Sequence, residues 1–440
     1  MERNNELELA RFLVEKTHEN LFLTGKAGTG KTTFLRDVRR HTHKKHVVLA
    51  PTGVAAVNAG GMTIHSFFQF GFGPYIKGVC EPEPNFHMQK QKLELIRSLE
   101  LIIIDEISMV RADVLDHIND ELQRVRRNRR PFGGVQMLMI GDLQQLPPIA
   151  KDDEARLLAT RYASNYFFDC LALTNSQYFC LELKSVYRQS DQSFVELLNR
   201  ARSGRPTADD LAALNARCQY DFRPGKDENY IRLVTHNHQA DSINAEELAR
   251  LNATSYTFVA QVSKGFTRES FPTDERLELK QGAQVMFVRN DPERRFVNGS
   301  LGQVTSIGRN NIEVRLSGSG QLISVEPATW ESVRYKLNAD TGQVETEVKG
   351  SFRQYPLKPA WAITVHKSQG LTFDRAIIDI HSAFSPGQAY VALSRCRSLE
   401  GIVLRMPVTA GVFLTDQVVE NYLASAVQDT AALARQVGFE

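Results

Sequence analysis

The chain has 440 residues, more than one ordinary hydrophobic core holds, so about two to four domains are expected. With 42% hydrophobic and 24% charged residues it has the composition of a soluble globular protein, and a net charge of +2 is too small for a protein that coats DNA, so any nucleic acid must lie in a local groove. No apolar run approaches the roughly 18 residues of a membrane span, the N-terminal MERNNELELARFLVEK is acidic and polar where a leader is basic or apolar, and the five cysteines (Cys80, Cys170, Cys180, Cys218 and Cys396) lie far apart with no C-x-x-C; membrane, secreted-disulfide and zinc-ribbon classes are set aside, no structural metal is expected, and the cytoplasm is the expected compartment.

In chain order, the first element is the apolar run Leu21 to Leu23, read as a buried strand, followed at once by GKAGTGKT at residues 25–32 and by Thr33-Phe34-Leu35-Arg36, which has the pattern of an opening helix. A G-x-x-x-x-G-K-[ST] string between a strand and a helix is a phosphate-binding loop. Its backbone from Gly25 through Ala27, Gly28, Thr29 and Gly30 to Thr33 is expected to close around the phosphates of ATP, with Lys31 reaching the outer phosphates and Thr32 offering a hydroxyl to Mg2+. A second run, Val47 to Leu49, leads into Pro51-Thr52-Gly53. Residues 69–92 carry no period and several Gly and Pro residues, which predicts a small protruding insertion. Leu101 to Ile104 then ends in two acids: Asp105 is placed to hold the metal ion that Thr32 also contacts, and Glu106 to polarise the attacking water, a pair that favours hydrolysis over transfer. A helix with the apolar stripe Val114, Leu115, Ile118, Leu122 and Val125 ends in an arginine run, Arg124 to Arg130, read as a solvated face. Val135 to Ile140 precedes Gly141-Asp142 and the polar turn containing Gln145.

These runs are apolar throughout, as in a parallel sheet covered on both faces, and their polar sequels converge on its carboxyl edge, where open α/β folds bind ligands. Ile231 to Val234, Ala376 to Ile380 and Ile402 to Leu404 predict a second sheet of the same kind. Between them, residues 282–357 alternate short β-like stretches with turns at Asn298-Gly299, Arg309-Asn310-Asn311 and Ser317-Gly318-Ser319-Gly320, the pattern of a small antiparallel barrel of about five strands. His236 and His238 lack further partners at ligand spacing and are not read as a metal pair.

The strings LFLTGKAGTGKTTFL, VLAPTGVAAVNAGGMTIHSFF, LIIIDEISMV, PFGGVQMLMIGDLQQLPPI, LKSVYRQSD, AWAITVHKSQGLTFD and AYVALSRCRS, in this order, resemble the petite-integration-frequency family of DNA helicases, RecD-like relatives within superfamily one B, over nearly the whole chain. The resemblance implies two RecA-like domains, residues 1–175 (with the wedge at 69–92) and residues 176–281 plus 358–440, and a Src-homology-three-like barrel at 282–357. It implies an ATP-dependent enzyme that moves 5′ to 3′ on single-stranded DNA and unwinds duplex or structured DNA, as a bacterial monomer acting at single-strand/double-strand junctions. In that family's terms Lys31 and Thr32 bind phosphate and metal, Asp105 and Glu106 are metal ligand and general base, and Gln145 contacts the terminal phosphate. Arg188 in VYRQSD and Arg395 in LSRCR are arginine fingers, and Gly370 in HKSQG lies near the γ-phosphate. An arginine supplied across a cleft to the transferring phosphoryl group is worth ~10³–10⁵ in rate, which suits both positions. The implied DNA contacts are Thr52, Gly53, Val54, Thr63, His65, Pro148, Thr235, His236, Asn237, Thr364, His366 and Lys367, mostly small polar groups that suit sequence-independent contacts to phosphate and sugar. The family's upstream glutamine that recognises adenine has no counterpart in ELELARFLVEKTHENLFLTG, which puts nucleotide selectivity in question. Rival readings are a translocase that strips proteins from single strands and a nucleotide-switched binding protein with slow hydrolysis.

Overall fold

The computed structural model describes residues 5–439 apart from 72, 82–87, 186–190, 226, 227, 229, 292, 294, 309, 310, 318 and 338–343. Strands β1 (Leu21–Gly25), β2 (His46–Ala50), β3 (Met62–Thr63), β4 (Leu101–Ile104), β5 (Gln136–Ile140) and β6 (Phe179–Leu183) form one sheet in the order β3-β2-β4-β5-β1-β6, every pair parallel. Side chains alternate between two cores. Phe22, Val47, Leu49, Ile102, Ile104, Met137 and Met139 point into one, and Leu21, Leu23, Val48, Leu101, Ile103, Leu138 and Ile140 into the other. Burial on both faces is why these strands read as unbroken apolar runs.

The sheet runs on past residue 175, because β6 pairs with β1 along its whole length. Residues 358–440 also divide. The helices Gln417–Ala426 and Thr430–Val437 pack on the first sheet, Val419 entering one of its cores and Leu433 the other, and Tyr422 stacks on Phe168 with ring centroids 3.9 Å apart. Nor does the start of the 69–92 insertion stand free. Phe70, Tyr75 and Ile76 are buried, and Phe70 and Tyr75 sandwich the His117 ring at centroid distances of 3.5 and 3.9 Å, which fastens the segment to the helix Ala112–Arg126. Residues 82–87 of that insertion lie outside the described residues.

β7 (Ile231–Val234) begins a second sheet, which the chain then leaves for an excursion through β8 (Ser255–Val259), β9 (Gln261–Val262), β10 (Arg276–Lys280), β11 (Gln284–Phe287), β12 (Leu301–Ile307), β13 (Ile312–Leu316), β14 (Leu322–Val325), β15 (Ala328–Leu337), β16 (Val344–Gln354) and β17 (Leu357–Pro359). It returns with β18 (Ala362–Thr364), β19 (Ala376–Ile378) and β20 (Ile402–Leu404), giving the parallel order β18-β7-β19-β20. Within the excursion, β14-β13-β12-β11-β17 form a five-stranded antiparallel sheet over a core of Val285, Phe287, Val304, Val314 and Leu357. Leu277 and Leu279 of β10 share that core, so the unit begins before residue 282. The predicted turn at Asn298-Gly299 joins β11 to β12, while residues 309, 310 and 318 of the other two predicted turns are outside the described set. β15 and β16 form a long hairpin that pairs with β9 rather than joining the five strands, and Trp330 and Phe352 at its base pack with Val57 of the first domain. Among the described residues no helix is long and apolar enough to cross a membrane.

Candidate active site

β1 delivers the phosphate loop to the carboxyl edge of the first sheet, and the loop's shape depends on glycine. Gly28 and Gly30 have φ of 84° and 93°, and a Cβ on Gly25 would stand 2.8 Å from Thr29 Oγ1 and 2.9 Å from the Leu183 carbonyl oxygen. Lys31 folds over the loop, its Nζ donating to the carbonyls of Gly25 at 2.5 Å and Lys26 at 3.0 Å. Thr32 and Thr33 are exposed on the first turn of the helix Lys31–His41, whose N-terminal N–H groups favour an anion.

The two acids that end β4 differ in setting. Asp105 Oδ1 accepts the Glu106 backbone N–H at 3.0 Å. Burial raises the Asp105 pKa against that hydrogen bond and the charges of Lys31 and Arg36. Glu106 takes the left-handed conformation, φ 53° and ψ 44°, which aims its side chain toward the cleft at a cost in backbone strain. Burial, joined by the charge of Asp105 and opposed by Lys31 and Arg395, raises its carboxyl to about 7.

Across the cleft, Gln369 Nε2 donates to Glu106 Oε2 at 2.9 Å and to Gln145 Oε1 at 3.3 Å. Gln145 Nε2 donates in turn to Asp142 Oδ2 at 3.1 Å, and Arg202 Nη2 donates to Asp142 Oδ1 at 2.8 Å. Burial works against the Asp142 charge, but Arg202 and Lys31 outweigh it and hold its carboxyl below the ordinary range. The helix Gln388–Leu393 closes against the same edge: the Ala27 N–H donates to the Tyr390 hydroxyl at 3.1 Å, and a Cβ on Gly387 would lie 2.1 Å from the Gln145 carbonyl oxygen. Arg395, 1% exposed, donates through Nε to the Val391 carbonyl at 2.8 Å and directs Nη1 at the carbonyls of Ser368 and Leu371, 3.5 and 3.4 Å away. Gly370 has φ 78° with no atom within 4 Å of where a Cβ would be. The structure thus brings Gly25 to Thr33, Asp105, Glu106, Gln145 and Arg395 to one cleft. Arg188 lies outside the described residues.

The DNA-contact positions fall into two sets, one at each sheet's carboxyl edge. On the first, Thr52 accepts the Ala55 N–H and Thr63 the Ser66 N–H, each at 3.2 Å, so both cap helices; Gly53 opens one of them, His65 lies in the other, and the Val54 side chain is outside the described set. The register Ala50↔Thr63 keeps Thr52 and Thr63 at neighbouring strand ends. Pro148 is buried just past the Gln145 turn. On the second, Val234 pairs with Thr364, which sets Thr235, His236 and Asn237 beside Thr364, His366 and Lys367. Thr235 and Thr364 are buried, the former hydrogen-bonded to His236 Nδ1 at 2.8 Å and the latter accepting the Lys367 N–H at 3.3 Å; His366 is half-buried and Lys367 exposed. Sequence reasoning missed Gln369, Tyr390, Arg202 and the ion pair of Asp142. Gln369 and Tyr390 lie inside HKSQG and AYVALSR, strings already marked by their neighbours, whereas nothing local marks Arg202 as a partner for a residue 60 positions away.

Comparison with known proteins agrees with this arrangement. The family described as PIF1-like helicase matches residues 8–211, and the one described as DNA helicase Pif1, 2B domain, matches residues 268–307. The ATP-dependent DNA helicase Pif1 of Bdellovibrio bacteriovorus is 34% identical over 88% of this chain and 84% of its own length. The human ATP-dependent DNA helicase PIF1 is also 34% identical over 87% of this chain, which spans 58% of that protein. Among solved structures, Bacteroides sp. Pif1 in complex with ADP-AlF4 is 39% identical, covers 97% of both chains and superposes with a TM-score of 0.89, against 0.70 for Bacteroides Pif1 bound to ssDNA at the same identity and coverage. Identity of this order across both sheets and the inserted strands places the chain in the PIF1-like helicase family.

Proposed function

We infer that the protein is an ATP-dependent DNA helicase that translocates 5′ to 3′ on single-stranded DNA and unwinds duplex or structured DNA at single-strand/double-strand junctions in replication, recombination or repair. The observation that carries this reading is the shared cleft: one sheet brings the phosphate loop and paired acids, while a second parallel sheet brings Gln369, Tyr390 and Arg395 to the same edge. A transferase acting on a small substrate has no need of the second sheet. A motor does, because opening and closing of the cleft moves the two sets of strand-end groups relative to each other.

Asp105 and Thr32 fit Mg2+, since a carboxylate at the end of β4 and an exposed hydroxyl on the helix that follows β1 are the hard oxygen donors that ion takes. There it would neutralise phosphate charge. Lys31 binds the outer phosphates, Glu106 takes the proton of the attacking water, Gln145 orients the terminal phosphate, and Arg188 and Arg395 stabilise the charge that develops as the phosphoryl group leaves. Arg395 is held by 2.8 Å bonds from Nε to the Val391 carbonyl and from Nη2 to Ser394 Oγ, while the bonds from Nη1 to the carbonyls of Ser368 and Leu371, at 3.5 and 3.4 Å, are long, so Nη1 is the part of the guanidinium that a modest shift would turn toward phosphate. The test is ATP turnover with and without a single-stranded oligonucleotide. Strong stimulation is expected; its absence would favour the nucleotide-switched binding protein, and protein displacement without strand separation would favour the translocase.

A further inference from the structure

Gln369 connects the residues assigned to the strand with those assigned to the nucleotide. It follows Lys367 by two positions and His366 by three, yet its amide reaches across the cleft to Glu106 Oε2 at 2.9 Å and Gln145 Oε1 at 3.3 Å. A base must accept a hydrogen bond from the water it activates, and an N–H already donated to its carboxylate occupies a lone pair and fixes its orientation. The same amide engages Gln145, whose other end is held by Asp142. Two groups needed for hydrolysis are therefore restrained by one side chain.

The segment that carries Gln369 is built to shift as a unit. Thr364 anchors its start through Ser368 N–H to the Thr364 carbonyl at 3.0 Å and Lys367 N–H to Thr364 Oγ1 at 3.3 Å. Gly370, left-handed and with open space beyond its Cα, supplies a pivot at its end. The Ser368 carbonyl in the same turn faces Arg395 Nη1 at 3.5 Å, so movement of this turn reaches the arginine as well.

We propose that Gln369 is a positioning residue that restrains Glu106 and Gln145 in the arrangement seen here, and that a single strand seated on residues 364–367 withdraws it, so that DNA stimulation of ATP hydrolysis passes through this amide. The proposal rests on the helicase reading above. Its test is the steady-state ATPase of Q369A and of Q369M, which keeps the side chain's length without its amide, each with and without a single-stranded oligonucleotide. Loss of one hydrogen bond to a charged group, worth about 1.5–3 kcal/mol, corresponds to a rise in DNA-independent kcat of about 10-fold or more. KM for ATP and affinity for the oligonucleotide should stay within about 2-fold of wild type, and the stimulation ratio should collapse. A damaged fold does not raise turnover, so the increase separates restraint from mere packing. Unchanged or reduced DNA-independent kcat in both variants, with the stimulation ratio preserved or with turnover lost, would overturn the proposal. Absence of stimulation in the wild-type protein would instead sink the helicase reading itself.

Discussion

Glu106, the proposed base, is held in left-handed backbone beside the metal-binding candidate Asp105, and burial raises its carboxyl to about 7. Replacing it by glutamine keeps the shape and removes the basicity. Glu106→Gln is expected to bind nucleotide as tightly as wild type while turnover falls by at least the roughly 10²–10⁴-fold typical of a lost general base; near-normal hydrolysis would remove Glu106 from the mechanism. On the proposed reading, His366 and Lys367 contribute differently to strand contact. Burial lowers the His366 pKa, so near neutrality its ring is uncharged and offers hydrogen bonds alone, whereas Lys367 is exposed and offers a charge. Each neutralised phosphate of a single strand contributes about −0.7 to the log–log salt slope of binding. Lys367→Ala is therefore expected to flatten the slope by about 0.7, and His366→Ala to weaken binding with the slope unchanged. Salt titrations of oligonucleotide binding check both, and equal slopes for the two variants would contradict the assignment.

At the scale of elements, the sandwich of Phe70, His117 and Tyr75 fixes the start of the insertion to the helix Ala112–Arg126. Burial lowers the His117 pKa from 6.5 to about 4, against the pull of Asp120, Asp113 and Glu81, with His65 pushing the same way as burial. Between those values the unfolded chain binds the proton and the folded one does not, so stability is lost as pH falls from about 6.5 toward 4. From pH 7 to 5 the linkage amounts to about 2 kcal/mol at most. His117→Phe keeps a flat ring between Phe70 and Tyr75 and should remove that part of the pH dependence, measured as urea unfolding at the two pH values; an unaltered dependence would exclude His117 as its source. The strands were legible because a parallel sheet buried on both faces leaves long apolar runs. β3, β6 and β18 went unread: β3 has two residues, β6 carries Glu182 among its apolar positions, and β18 merges into the polar HKSQG that follows it. The arginine run was read as a solvated face, and Arg126 departs from it. Its Nη1 donates to the carbonyls of Ile96, Arg97 and Leu99 at the end of the helix Lys90–Ser98, which have no helical N–H to pair with, and its Nε donates to the Gly133 carbonyl.

At the scale of the molecule, the half of the site on the first sheet was legible because its residues follow their strands directly. The contacts that join the halves were not: Gln369 meets Glu106 across 263 positions and Tyr390 meets Ala27 across 363, separations that no local pattern encodes. The same geometry bears on the direction of travel. In the proposed cycle, closing the cleft would bring the first set of strand-end groups, Thr52, Thr63 and His65, toward the second, Thr235, His236, Thr364 and His366, and so produce a step. The sign of that step depends on which set grips while the other slides, and cleft closure alone leaves it open. The assignment of 5′ to 3′ rests on resemblance to the family, carried by the inserted five-stranded sheet, the stretch PFGGVQMLMIGDLQQLPPI and the HKSQG turn that follows the insertion. A duplex with a 5′ single-stranded tail is expected to be unwound with ATP and Mg2+, and one bearing only a 3′ tail to remain paired. Efficient unwinding from the 3′ tail alone would mean that the two sets of contacts grip in the opposite order, and it would reverse the polarity assigned here while leaving the chemistry of Lys31, Asp105 and Glu106 intact.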